Sequence, residues 1–144
     1  MWTDQLKHFE RAVRQAFDFL HEEKGYSEPS VEYARDFFLI YDNPSEHTQI
    51  CIGWERDWFL PFIFLRPSDD DLPEILKKLG IDVDASAFPT CERIARRKIP
   101  GIRELWIHWR KKRELVEEYP HFVEQYGITL RNNFDRILQE VHNR

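Results

Sequence analysis

Apolar residues recur at steps of three and four along the first part of the chain. Between residues 3 and 24 this spacing places one apolar stripe on a helix, made of Leu6, Phe9, Val13, Ala16, Phe17 and Leu20. Gly25 follows, and a glycine readily takes the left-handed conformation that ends a helix. The pattern therefore predicts an amphipathic N-terminal helix over residues 3–24.

Three strand-like runs follow, at residues 31–41, 47–54 and 58–65. The middle run alternates: one face carries Thr48, Ile50, Ile52 and Trp54, and the other carries His47, Gln49, Cys51 and Gly53. The third run contains Pro61, which lacks the N–H that a central strand donates, and this favours an edge strand or a bulge. Because turn-forming segments separate the runs, we expect a three-stranded antiparallel meander.

From Ser68 onward the pattern is helical again. Asp71, with Glu74 three residues later, is typical of a capped helix start, and Gly80 is typical of a helix end. Further helices are expected from Thr90 to about Lys98, from Ile102 to a break at Tyr119-Pro120, and from Thr129 onward after an end at Gly127. The order of helix, meander and helices predicts one α+β domain over residues 1–144, with three to five C-terminal helices packed on the sheet.

Composition adds size, compartment and solvent exposure to this picture. A chain of 144 residues can bury a real core, and because 15% of the residues are aromatic, most aromatic side chains are needed for folding. The sequence has two cysteines, Cys51 and Cys91, and opens without a basic, apolar leader, which favours a reducing cytoplasm. Its apolar runs are far shorter than the roughly 20 residues that span a bilayer, so no membrane segment is expected.

Sequence patterns that mark catalysis are missing. Neither phosphate-binding glycine motif (GxGxxG or GxxxxGK[ST]) occurs, nor does GxSxG or HExxH, and the six histidines have no metal-ligand spacing. Cys91 falls in the first turn of a predicted helix, where the dipole could lower its pKa, although an inert thiol is the alternative. We therefore expect no catalytic residue, cofactor or metal, and the sequence favours a protein that works by binding. An enzyme with a cleft between the sheet and the helices is a further alternative.

Charge is unevenly distributed. The net charge is −5, but residues 93–113 carry nine basic side chains and one acidic one, a local charge of +8 that leaves −13 elsewhere. Nucleic-acid or polyanion binding is therefore the alternative function, with Arg96, Arg97, Arg103, Arg110 and Arg113 as candidate residues. Trp106 and Trp109 could stack bases there, although both also fall on an apolar stripe that favours core packing. A solvated basic helix face is the third interpretation.

Two further features could contact a protein partner. Asp69 and Asp70 precede the predicted helix start, where the dipole favours negative charge, but they could also form a docking surface. The first and third strand runs contain stretches that are apolar on both faces, so an aromatic patch is either covered by helices or left for a partner. Tyr33, Tyr41 and Trp58 lie at the margin of this patch and complete the set of candidate partner-binding residues.

The first third of the chain also resembles a known group of proteins. Phe17, Phe19 and Leu20 lead to Gly25-Tyr26, and a strand meander with Gly53-Trp54 follows. This pattern resembles the start of small bacterial proteins, some of which are immunity proteins of polymorphic toxin systems. The resemblance implies a compact α+β domain that binds and neutralises a toxin domain. Separately, we expect the chain to be a monomer or a homodimer. The basic second half departs from a uniformly acidic toxin plug.

Overall fold

The computed structural model describes residues 2–33, 36–55, 60–95, 110 and 112–143. The α+β class predicted from the sequence is confirmed: helices flank an antiparallel sheet in the chain. We number the described elements in chain order: α1 Trp2–Phe17, α2 Phe19–Glu23, β1 Ser30–Glu32, β2 Phe37–Asn43, a 3-10 turn Pro44–Glu46, β3 Thr48–Glu55, β4 Leu60–Arg66, α3 Leu72–Leu79, α4 Pro89–Ala95, α5 Lys112–Asn132 and α6 Phe134–His142.

The predicted N-terminal helix is interrupted once, at Asp18. Helical hydrogen bonds nevertheless continue through this residue, because Asp18 N–H donates to Arg14 O at 2.9 Å and Glu22 N–H donates to Asp18 O at 3.0 Å. The helical path ends as predicted at Gly25, whose φ is +79°, and Tyr26 N–H folds back onto Leu20 O at 3.0 Å. The apolar stripe of α1 faces the core.

The sheet has four strands in the order β1-β2-β3-β4, all antiparallel, and not the three that the sequence predicts. Residues 31–41 form two strands where we expected one. The chain reverses between Glu32 and Phe37, and Val31 pairs with Leu39 of the same run. The first half of the run, which is polar, therefore pairs with the second, apolar half. The apolar half also pairs with β3. Pro61 lies on β4, an edge strand, as predicted.

The predicted boundaries of α3 are confirmed, whereas the helix ends predicted at Pro120 and Gly127 are wrong. Asp71 caps α3 by accepting from Glu74 N–H at 3.1 Å, and Gly80 ends it with φ +70°. In contrast, Pro120 and Gly127 lie inside α5 and do not end helices. Thr129 does not cap a helix either: its hydroxyl donates to Gln125 O at 2.8 Å within α5.

Gly127 has a packing role, since a Cβ there would lie 2.7 Å from Ala16 O of α1. It thus permits the close approach of α1 and α5.

The core lies between one face of the sheet and the helices. We call this face the inner face, and its fully buried side chains are Phe37, Leu39, Tyr41, Ile50, Ile52, Trp54, Ile63 and Leu65. At its centre, the Phe9 ring of α1 lies 5.3 Å from the Trp54 ring, and the Tyr119 ring of α5 meets Trp54 edge-on at 5.1 Å. These contacts place α1 and α5 on the inner face.

Candidate functional site

The opposite face of the sheet is also apolar. Between the buried positions of β2, β3 and β4, the side chains that point the other way are half-buried, and we call them the outer face: Phe38, Ile40, Cys51, Phe62 and Phe64. Among the described residues, none of these side chains belongs to the core cluster or packs against it. A sheet with one face toward water normally carries polar side chains there.

Aromatic rings close over Gly53 at one end of the outer face. Gly53 pairs with Phe38 on one side and with Phe62 on the other. A Cβ at Gly53 would lie 2.5 Å from Phe38 Cβ and 2.7 Å from Phe62 Cζ, so the glycine makes room for both side chains. The side chains of Phe38 and Phe62 therefore cover Gly53 of the middle strand on the outer face.

Polar and charged side chains mark the other end of the outer face. Asp42, Gln49 and Arg66 form one cross-strand row, with Gln49 in the middle. The Arg66 guanidinium lies 5.3 Å from the centre of the Phe64 ring, a cation–π contact. No hydrogen bond or ion pair engages the Asp42 carboxylate within the described part of the chain. The outer face thus combines aromatic rings with an arginine and a carboxylate at its rim.

Tyr41 and Tyr33, both predicted to contact a partner, lie in different surroundings. The prediction is corrected for Tyr41, which is fully buried on the inner face and donates to Asp18 Oδ1 at 2.7 Å. Burial, and then its bond to Asp18, raise the pKa of Tyr41 well above its usual value. Tyr33 is 46% exposed and donates to a carboxylate oxygen of Glu10, which leaves its ring accessible at the sheet edge. Trp58 lies outside the described residues.

Asp69 and Asp70 also differ. Asp70 is 9% exposed, and its carboxylate accepts from Lys78 Nζ of α3 at 2.6 Å. The prediction is corrected here too, because an aspartate that holds α3 in place in this way is not a docking group. Asp69 is exposed and stays a candidate contact. Asp71 caps the start of α3, as the sequence predicts.

The candidate anion-binding residues are only partly described. Arg96, Arg97 and Arg103 lie outside the described residues. Arg110 and Arg113 are exposed, and Arg113 Nε lies 3.6 Å from Glu117 Oε1 one turn further along α5. Arg113 is therefore balanced by an acid beside it, and the described residues of the segment form no set of candidate arginines around one site.

Neither cysteine has the surroundings of a nucleophile. Cys91 is buried, its thiol donates to Leu115 O at 3.4 Å, and burial, followed by the nearby Glu118 and Glu92 carboxylates, raises its pKa. The backbone N–H groups of Thr90 and Cys91 in this helix turn already have an acceptor, since both donate to Glu118 Oε1, at 2.8 and 3.0 Å. Burial likewise raises the pKa of Cys51 to about 11.

Sequence reasoning missed a charged cleft beside α1. Its volume is about 590 Å³, and it is lined by side chains of both signs, among them Lys7, Glu10, Arg11, Asp18 and Arg131. Within it, Arg14 Nε donates to Glu10 Oε2 at 3.0 Å, and Arg131 pairs with Glu23 at 2.6 Å at its border. The four-residue spacing of Lys7 and Arg11 places both side chains on one side of α1 and could have indicated the cleft. Spacing could not show that α5 would contribute Arg131 to it.

Comparisons with known proteins give no relative for this chain: no family model, no curated protein and no solved structure matches it. In the described residues, no three side chains of the His, Cys, Asp and Glu types gather as metal ligands. The helices of the described part are all too short or too polar to span a bilayer.

Proposed function

We propose that the protein is a non-catalytic protein-binding domain and that the outer face is its binding surface. One observation carries the proposal: the outward positions of β2, β3 and β4 carry apolar, largely aromatic side chains that do not belong to the core. Apolar side chains at outward positions are typical of a sheet face that another surface covers.

Residue types at the outer face support a protein as the ligand. Aromatic residues and arginine are enriched at the centres of protein interfaces, where they bury large areas at low entropic cost. Phe38, Phe62 and Phe64 form a chain of rings with centroids 6.4 and 5.4 Å apart, and Arg66 lies at its end. The thiol on this face, Cys51, has a pKa that burial raises to about 11, which does not favour a nucleophile.

The resemblance to immunity proteins suggests what such a domain would do. In that setting the partner is a toxin domain, and binding blocks the toxin without any reaction. The chain's net charge of −5 would favour a basic toxin, because complementary charge speeds association. The polyanion alternative gains no observation from the described basic residues, since Arg113 lies beside Glu117.

If the neighbouring gene encodes a toxin domain, coexpression with that domain tests the proposal. The wild-type chain should restore growth, and the purified pair should bind in a calorimeter. Phe64→Asp places a charge at the centre of the outer face, so it should abolish binding and rescue. Ile128→Asp is the matched control, since Ile128 is 46% exposed on α5. Full rescue by folded Phe64→Asp would contradict the proposed surface, and lack of binding by the wild type would contradict the immunity function.

A further inference from the structure

We propose that a second copy of this chain occupies the outer face, related to the first by a twofold axis that runs along β3. The inference rests on the proposed function, because both require the outer face to be a binding surface. A second copy and a toxin domain would compete for that face. Symmetric homodimers join the same patch on both copies, so the patch must be complementary to itself. The register of the sheet allows a direct check of that condition.

The apolar rows of the outer face meet this condition of self-complementarity. In the first row Phe38 on β2 and Phe62 on β4 flank Gly53 of β3. In the second row Ile40 and Phe64 flank Cys51 in the same way. A rotation about β3 exchanges the β2 and β4 positions.

After this rotation, Phe38 of one copy lies over Phe62 of the other, and Ile40 lies over Phe64. In these two rows, bulky apolar side chains then meet bulky apolar side chains. Gly53 and Cys51 of β3 lie on the axis, and Glu55 lies on it one row beyond Gly53, at the end of the strand.

The charged row satisfies it as well. Asp42 on β2 and Arg66 on β4 flank Gln49, so the same rotation places each Asp42 opposite the Arg66 of the other copy. Within one chain the two residues are separated by a whole strand, roughly 10 Å across the sheet. A dimer would thus gain two symmetry-related ion pairs from groups that do not pair with each other in the single chain.

A twofold axis across the strands does not give this match. Through the second row, such an axis would exchange the first and third rows and place Asp42 and Arg66 against the Phe38 and Phe62 rings. Between the first and second rows, it would match the apolar rows but would not bring Asp42 of one copy to Arg66 of the other. Charges buried against apolar groups without a partner are costly. Charge therefore selects the axis along β3.

Two single charge reversals and their mixture test the geometry. In Asp42→Arg both cross-dimer pairs become Arg opposite Arg, and in Arg66→Asp both become Asp opposite Asp. Sedimentation should show the wild type as a dimer of twice the 17.6 kDa chain mass at high concentration. Each single variant should raise the dimer Kd at least about tenfold. An equimolar mixture of the two should restore dimers, since each copy then meets the opposite charge.

The double variant Asp42→Arg, Arg66→Asp should also dimerise, and Ile128→Asp should dimerise like the wild type. Circular dichroism and urea unfolding of each variant confirm that the chain is folded. A misfolded single variant could not be rescued by mixing with another, so recovery in the mixture reports the paired contact itself. Added salt should weaken the wild-type dimer.

Three outcomes would overturn the second-copy proposal. The wild type could remain monomeric at high concentration, the charge variants could dimerise as tightly as the wild type, or the mixture could fail to recover. In each case the proposed function stands or falls separately: loss of toxin binding in Phe64→Asp would still identify the outer face as a surface for a different protein.

Discussion

The inner and outer faces of the sheet are built from similar side chains but have different surroundings. Trp54 and Ile52 of β3 are fully buried under α1 and α5, whereas Cys51 of the same strand is half-buried and lies outside the core cluster. A residue's type therefore does not decide on which side of the sheet it lies; the period of two does. The comparison teaches that this sheet has one apolar face that packs in the core and a second one whose described side chains lie outside the core cluster.

Truncation at the centre of each face should separate the two roles most strongly. Trp54→Ala removes the ring that Phe9 and Tyr119 pack against, and we expect a loss of about 3–5 kcal/mol in the free energy of unfolding. Phe62→Ala on the outer face should cost about 1 kcal/mol, since it loses mainly cross-strand contacts. Urea unfolding at low protein concentration measures both. Equal losses would contradict the distinction between the faces.

Gly53 lies on the outer face between Phe38 and Phe62, and its substitution should cost nearly as much free energy of unfolding as Trp54→Ala. A Cβ there would lie 2.2 Å from the Phe37 carbonyl oxygen, which is backbone and cannot move without displacing β2. We expect Gly53→Ala to destabilise the fold by about 3 kcal/mol. Gly80→Ala is the matched control, because no atom lies within 4 Å of a Cβ at that position. Only the strain of a side chain at φ +70° should then lower the free energy of unfolding, by about 1 kcal/mol. A loss at Gly53 no larger than at Gly80 would show that the strands relax.

Local patterns predicted the elements well where a single interaction determines them. The Asp71 cap, the Gly25 and Gly80 ends and the two faces of β3 depend on neighbours in sequence, and the structure confirms them. Gly127 shows the limit of such reasoning. Its role is to admit Ala16 of α1, a contact across more than a hundred residues, and no local rule distinguishes that role from a helix end.

The candidate site was predictable only in part. The first and third strand runs contained stretches that were apolar on both faces, but this pattern did not show which face the helices would cover. Tyr41 and Tyr33 both belong to the run 31–41, and the hairpin inside that run places Tyr41 in the core and Tyr33 at the edge. Asp70 similarly pairs with Lys78, eight residues away, once α3 has formed. Long-range packing therefore decided which candidates remain accessible.

The two tyrosines provide a smaller test of the same comparison. Tyr41→Phe removes a buried hydroxyl that donates to the Asp18 carboxylate at 2.7 Å, so we expect a loss of about 2 kcal/mol. Tyr33→Phe removes an exposed bond to Glu10 and should cost less than about 1 kcal/mol. Chemical denaturation of both variants gives the values. If Tyr33→Phe proved the more damaging change, the edge of the sheet would contribute more to folding than its burial suggests.

Thiol reactivity is the mildest probe of the faces, because it need not unfold the protein. Burial raises the pKa of Cys51 to about 11, so iodoacetamide should react slowly at neutral pH and faster with each unit up to that value. The pKa of buried Cys91 is raised too, and its thiol should react only when the chain unfolds. Mass spectrometry of Cys51→Ser and Cys91→Ser follows each site separately.

Both folded thiols hold their protons above the unfolded pKa. Their contribution to stability is therefore present at neutral pH and is lost as pH rises from about 9 toward the folded values. If a second copy covers the outer face, dilution should also accelerate alkylation of Cys51, while Cys91 should not respond. Equal reaction rates for the two thiols in the folded protein would contradict the assignment of Cys51 to an accessible face.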